Sequence, residues 1–235
     1  MNWQAAEIKP RERIIVALDL RTSDEALALV RQLSSHAGLF KIGLQLYTAA
    51  GPEIVRAVRD LGGRVFLDLK LHDIPNTVRR AVESAGSLGV EMLTLHLSGG
   101  RAMIEAAVGA AAPEMLLLGV TVLTSANDAT LREIGVVSAM EEQVLRLAQL
   151  GVESGIQGFV ASPHELAPLR TAHGAKIKIV TPGIRPTGSP AEDQKRTITP
   201  AEALKAGADF LVIGRPITAA PDPRAALEQI VTDAV

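Results

Sequence analysis

Eight short apolar runs, each followed by a stretch of helical spacing, predict a single α/β domain folded as a (β/α)8 TIM barrel over residues 1–235. Three observations carry this expectation. The runs, at 14–18, 40–44, 65–69, 92–97, 116–123, 158–161, 177–180 and 210–213, are mostly continuous in hydrophobicity, as parallel strands covered on both faces are. The alternation of strand with helix is strict. Eight is also the number of repeats that closes a parallel sheet on itself. A doubly wound open sheet is the alternative, but it would show fewer units and a Gly-rich first turn, and no G-x-G-x-x-G occurs.

The first helix is capped by Thr22-Ser23-Asp24, keeps Ala26, Leu27, Leu29, Val30 and Leu33 on one face, and ends near Gly38. Further helical stretches are expected at about 52–61, 74–88, 100–111, 139–153, 163–172, 200–206 and 223–235. Residues 1–12 carry charges where a secretory signal would need an apolar stretch, and read as a surface lead-in. Residues 183–199, rich in Pro, Gly, Thr and charge, are too long for an ordinary βα loop and are a candidate lid. Gly183 and Gly188 have P-loop spacing, but Ser189-Pro190 follows where Lys and Ser/Thr are required.

Composition narrows the function. Lys+Arg number 24 against 26 Asp+Glu, a formal net charge of -2, which argues against a generic nucleic-acid binder. The absence of cysteine excludes disulfides, thiolate nucleophiles and iron–sulfur clusters, and fits a cytoplasmic protein. The longest apolar stretch, about 115–123, is far short of the ~20 residues that a membrane-spanning helix needs.

Several runs end in polar residues: Asp19, Lys41, Asp68 with Lys70, His96, Thr124, Ser162 and Arg215. In a barrel these ends meet on one rim, where active sites are built. His96 and Ser162 need no function, because a strand becomes polar where it leaves the core. Asp68 and Lys70 are harder to dismiss. Two residues apart, they point to the same side of a strand, opposite Leu67, Leu69 and Leu71. Buried charges need partners, and Lys41 and Asp73 can supply them, giving an array Lys41, Asp68, Lys70, Asp73 of alternating sign. A structural ion-pair network is the plainer reading; four charges at a barrel's functional rim favour chemistry.

Carboxylates beside Lys70 favour its ammonium form, which disfavours a Schiff base and suits an acid or electrostatic stabiliser. Asp19, Asp68 and Asp73 could hold Mg2+, but two lysines compete for them, so a metal is the lesser reading. After the seventh and eighth runs, Gly183 with Arg185 and Gly214 with Arg215 suggest a phosphate site, since Gly permits close backbone approach and Arg offers a bidentate fork. The expected substrate is a small phosphorylated molecule.

Phe66-Leu67-Asp68-Leu69-Lys70-Leu71-His72-Asp73-Ile74-Pro75-Asn76-Thr77-Val78 closely resembles the signature segment of the orotidine 5'-phosphate decarboxylase family. The resemblance extends through 16–19, 41–47, 121–125, 180–186 and 211–217, and so across nearly the whole chain. The D-x-K-x-x-D pattern alone is shared with hexulose-phosphate synthase. The resemblance implies cofactor-free conversion of orotidine 5'-monophosphate to UMP and carbon dioxide, the last step of de novo UMP synthesis. It implies that Lys70 protonates C6 of the pyrimidine, that Asp68 lies against the departing carboxylate, and that Lys41 and Asp73 complete the array. It further implies a homodimer in which Asp73 and Thr77 serve the partner's site. Asp19 and Lys41 would contact ribose hydroxyls, Thr124 the pyrimidine, and Arg185, Gln194, Gly214 and Arg215 the phosphate. The alternatives are a metal-dependent sugar-phosphate lyase of the same superfamily and a non-catalytic nucleotide-phosphate binding protein.

Overall fold

The computed structural model describes residues 8–186 and 198–234. Eight parallel strands form a closed barrel in sequence order: β1 (Ile14–Ala17), β2 (Leu39–Gly43), β3 (Val65–Leu71), β4 (Met92–His96), β5 (Leu116–Val120), β6 (Gly158–Val160), β7 (Lys178–Thr181) and β8 (Phe210–Ile213). β8 pairs back onto β1 through Ile14↔Leu211 and Val16↔Ile213, which closes the cylinder.

The continuous apolar runs are explained by two separate cores. Alternate residues such as Ile15, Ala17, Phe66, Met92, Leu118, Val180, Phe210 and Val212 fill the barrel interior. Their neighbours, including Ile14, Val16, Phe40, Ile42, Leu67, Leu93 and Ile179, pack outward against the helices. A residue on either face of these strands is therefore buried, and the period of two disappears from the hydropathy.

The helices are α1 (Ser23–Leu33), α2 (Leu44–Ala50), α3 (Glu53–Asp60), α4 (Pro75–Ser87), α5 (Arg101–Ala110), α6 (Asp128–Glu133), α7 (Met140–Glu153), α8 (Leu166–His173), α9 (Pro200–Lys205), α10 (Arg215–Thr218) and α11 (Pro223–Asp233). α1 starts in a capping box: Thr22 Oγ1 accepts the Glu25 N–H at 3.3 Å while the Glu25 carboxylate accepts the Thr22 N–H at 3.2 Å. The short helices α2, α6 and α10 are additions to the expected pattern, and β5 ends at Val120 rather than continuing to 123.

At the end of the barrel away from the candidate site, the lead-in is more structured than expected. Pro10–Arg13 forms a 3-10 turn, and Ile8 packs on the interior cluster. Its backbone presses on Gly38, where a Cβ would stand 2.5 Å from the Glu12 carbonyl oxygen. On the same end Arg170 of α8 donates to the carbonyls of Gly207, Gly174 and Ile177 and to Asp209. Asp209 also accepts the Ile179 N–H at 2.8 Å, which ties α8, β7 and the start of β8 together.

Candidate active site

The C-terminal ends of the strands surround a cavity of about 530 Å³. Its floor is apolar, made by Ala17, Phe66, Val120, Val160, Val180 and Val212. Asp19, Lys41, Asp68 and Lys70 line one side, and Gly183, Arg185, Gly214 and Arg215 line another, with Thr124 also at the wall. Nine of the residues singled out from the sequence thus share one pocket.

The charged side is a continuous run of alternating sign. Lys41 Nζ donates to Asp19 Oδ1 at 2.9 Å and lies 3.8 Å from Asp68 Oδ2, and Lys70 Nζ donates to Asp68 Oδ1 at 2.8 Å. The centre of the run is the drier part: the Lys41 and Asp68 side chains are 11% and 14% exposed, against 60% for Asp19. Neither central charge is tolerable there without its neighbours, because desolvation costs several kcal/mol per ion, to order of magnitude. Gly43 leaves room beside the arrangement. A Cβ at that position would sit 3.0 Å from Lys41 Nζ and 3.3 Å from Asp19 Oδ1.

Two expectations need correction. Lys41 is the middle residue of β2 rather than its end, so its side chain rises from the barrel interior. Asp73 does not join Lys70 in its own chain. Its carboxylate turns back to accept the Ile74 N–H at 2.6 Å, and the whole segment 72–77, Thr77 included, is exposed and outside the cavity wall. The array within one chain is therefore Asp19, Lys41, Asp68, Lys70. Gln194, and most of the candidate lid 183–199, lie outside the described residues. The base of that segment is pinned by an Ile184↔Ile198 bridge and by the Arg185 N–H donating to the Ile198 carbonyl at 3.0 Å.

β3 departs from regular geometry where the chemistry is concentrated. It advances from Leu67 to Leu71 while β4 advances only from Leu93 to Leu95, a bulge that spans Asp68, Leu69 and Lys70. Lys70 has φ 52°, the one positive value at a non-glycine position among the described residues. Asp68 and Lys70 still face the same side, as expected, but through a bulge rather than through strand alternation. Thr94, which the sequence reading passed over, sits opposite this bulge and is fully buried. Its hydroxyl accepts the Lys70 N–H at 2.8 Å and donates to Asp68 Oδ1 at 3.0 Å. The available signal was a lone hydroxyl residue in the run Met92-Leu93-Thr94-Leu95-His96.

His96 ends β4 with its ring centroid 5.5 Å from that of His72. Burial holds its pKa below the ordinary histidine value, helped by repulsion from His72 and Lys70 and opposed by Asp68. On the anion side, Gly183 has φ 81° and Gly214 precedes the short helix α10. Arg185 Nε is buried without a hydrogen-bond partner among the described residues, a donor suited to an anionic oxygen. Among the described residues no three His, Asp or Glu side chains are grouped as metal ligands.

Comparison with known proteins adds to this geometry. The model of the orotidine 5'-phosphate decarboxylase / HUMPS family matches residues 12–230. The chain is 53% identical over 223 residues to the orotidine 5'-phosphate decarboxylase of Opitutus terrae, covering 94% of this chain and 97% of that one. It is 51% identical over 232 residues to the enzyme of the same name from Moorella thermoacetica, covering 95% and 92%. The crystal structure of orotidine 5'-phosphate decarboxylase from Lactobacillus acidophilus superimposes with a TM-score of 0.83 at 37% identity, over 94% of this chain and 98% of that one.

Proposed function

This chain belongs to the orotidine 5'-phosphate decarboxylase / HUMPS family, and from that premise we propose that it converts orotidine 5'-monophosphate to UMP and carbon dioxide without a cofactor. The observation that carries the reading is the fixed run Asp19, Lys41, Asp68, Lys70 over an apolar floor. Heterolysis of the bond between C6 and the carboxylate releases carbon dioxide and leaves the electron pair on C6. The Lys70 ammonium, already held by Asp68 at 2.8 Å, stabilises that charge without reorganising and then delivers its proton to C6. Water restores the ammonium. Asp68 repels the substrate carboxylate but not the uncharged carbon dioxide and C6–H that replace it, which favours departure.

Substrate contacts follow the same reading. Asp19 and Lys41 take the ribose hydroxyls, Thr124 the pyrimidine, and Arg185, Gly214 and Arg215 the phosphate, with Gln194 reaching it from a lid over residues 183–199. Phosphate is remote from the reacting carbon, so its binding energy is available for closure. Asp73 and Thr77 complete the site of a second copy in a homodimer, which accords with the exposure of 72–77 on their own chain. A cytoplasmic location accords with the metabolic role and with the absence of any helix among the described residues long and apolar enough to cross a membrane.

The metal-dependent lyase and the non-catalytic binder are not favoured, since the relatives at 53% and 51% identity both carry the decarboxylase name. The test is UMP and carbon dioxide formation from orotidine 5'-monophosphate in EDTA, with Lys70→Ala as control. Turnover in EDTA is expected, with a loss of about 10⁴-fold or more in the folded variant. Activity abolished by EDTA would move the assignment to the metal-dependent relatives, and UMP binding without turnover would move it to the binder.

A further inference from the structure

We propose that Thr94 is a positioning residue for the decarboxylation, acting through a single hydroxyl that clasps the β3 bulge and fixes both Asp68 and the left-handed Lys70. The inference rests on the decarboxylase reading and deepens it. In a regular parallel ladder the Lys70 N–H would donate to a carbonyl of the neighbouring strand. The bulge removes that partner, because β3 gains two residues on β4 between Leu67 and Leu71. Thr94 lies between Leu93 and Leu95, the pairing partners at the two edges of the bulge, and it supplies the missing acceptor at 2.8 Å.

The direction of both hydrogen bonds is settled by chemistry. An amide N–H can only donate, so the Thr94 oxygen accepts from Lys70. The carboxylate of Asp68 can only accept, so the hydroxyl proton goes to Asp68 Oδ1 at 3.0 Å. That same Oδ1 receives the Lys70 ammonium at 2.8 Å. One oxygen thereby closes a ring that joins the backbone of Lys70, the carboxylate of Asp68 and the ammonium of Lys70. A non-glycine residue at φ 52° costs on the order of 1–3 kcal/mol and persists only where its surroundings over-determine it. Thr94, with no exposed surface, is the polar group that does so here.

Loss of the hydroxyl would leave the Lys70 N–H without its acceptor and free the residue to relax towards negative φ. The ammonium would then swing away from its place beside Asp68, while Arg185, Gly214 and Asp19 stay as they are. A misplacement of about 1 Å in a catalytic group costs about 10²-fold in rate. The consequence is a specific split: turnover falls and product binding is retained. A purely structural role for a buried threonine would instead lower stability and weaken binding along with rate.

The experiment compares Thr94→Val, which keeps the shape and loses the hydroxyl, with Thr94→Ser, which keeps the hydroxyl. Each is assayed for kcat on orotidine 5'-monophosphate, for UMP affinity by calorimetry and for thermal melting. The expected result is a kcat lowered roughly 30- to 100-fold in Thr94→Val with UMP affinity within about threefold, and near-parental kcat in Thr94→Ser. The proposal is overturned by a kcat within about threefold of the parent in Thr94→Val, by a folded Thr94→Ser as impaired as the valine variant, or by UMP affinity falling in proportion to kcat. Should the valine variant not fold, Thr94→Ala carries the comparison with the same thresholds. An inert parent overturns the decarboxylase reading itself, and so is distinct from an active parent indifferent to Thr94.

Discussion

Lys70 and Thr94 illustrate what could and could not be read residue by residue. A charge in an apolar strand announces itself, because burying it needs a partner, and so Lys41, Asp68 and Lys70 were legible. A threonine at a strand position carries no such penalty, and Thr94 became visible only when its hydroxyl was seen across from the bulge. The bulge itself left no trace in the period-two pattern, since Asp68 and Lys70 face the same way with or without it. His96 was read as a strand exit, yet its ring is half-buried beside His72. Because burial, His72 and Lys70 hold its pKa below that of the unfolded chain, the unfolded state binds the proton at higher pH than the native state does. Stability is therefore lost as pH falls from about 6.5 through the native value. His173, also lowered by burial, acts with the same sign. Melting followed from pH 7.5 to 5 should show a shallower decline for His96→Asn than for the parent, and an unchanged slope would contradict this account.

At the scale of elements, all eight strands fall within a few residues of their expected positions, since each is covered on both faces and bounded by helix signals. The short helices α2, α6 and α10 escaped because four to seven residues are too few to establish a helical period. Also invisible was the division of labour between the two barrel ends, which depends on side chains far apart in sequence. Arg170 is the clearest case. Its guanidinium joins Asp209 at 2.5 Å and spans carbonyls at Gly174, Ile177 and Gly207, all at the end opposite the cavity. Removing it leaves Asp209 with one fewer cation and several carbonyls without their donor. Arg170→Ala should cost about 3 kcal/mol, or roughly 6–12 °C in Tm, while kcat below the transition is unchanged. Arg170→Lys should recover little of this, because an ammonium cannot reproduce the planar fork. A loss of kcat at temperatures where the variant is fully folded would show that the two ends are coupled.

At the scale of the whole molecule, the single chain presents a cavity furnished with its run of charges and with Arg185 and Arg215 but leaves 72–77 turned outward, with Ile74 67% exposed beside Asp73. Leu44, the first residue of α2, and Leu123, on the loop after β5, are also exposed, at 55% and 47%. An apolar rim around a catalytic cavity suits burial against a second copy, and the homodimer proposal gives Asp73 and Thr77 a function that their own chain does not. This arrangement has a consequence that no monomer can imitate. Lys70→Ala and Asp73→Asn each disable every site when alone in a homodimer. In a mixed dimer one site pairs the defective Lys70→Ala chain with the partner's Asp73→Asn, and is dead twice over. The other site combines an intact Lys70 from one chain with an intact Asp73 from its partner. If subunits exchange at random, half of the dimers are mixed and half of their sites are whole, so roughly a quarter of the parental turnover per site should return on mixing and refolding the two inactive variants. Recovery should rise with total protein concentration over the range where dimers form, as sedimentation reports it. If each chain instead carries its own complete site, mixing restores nothing at any concentration, and Asp73 and Thr77 revert to the surface residues that the isolated barrel makes of them.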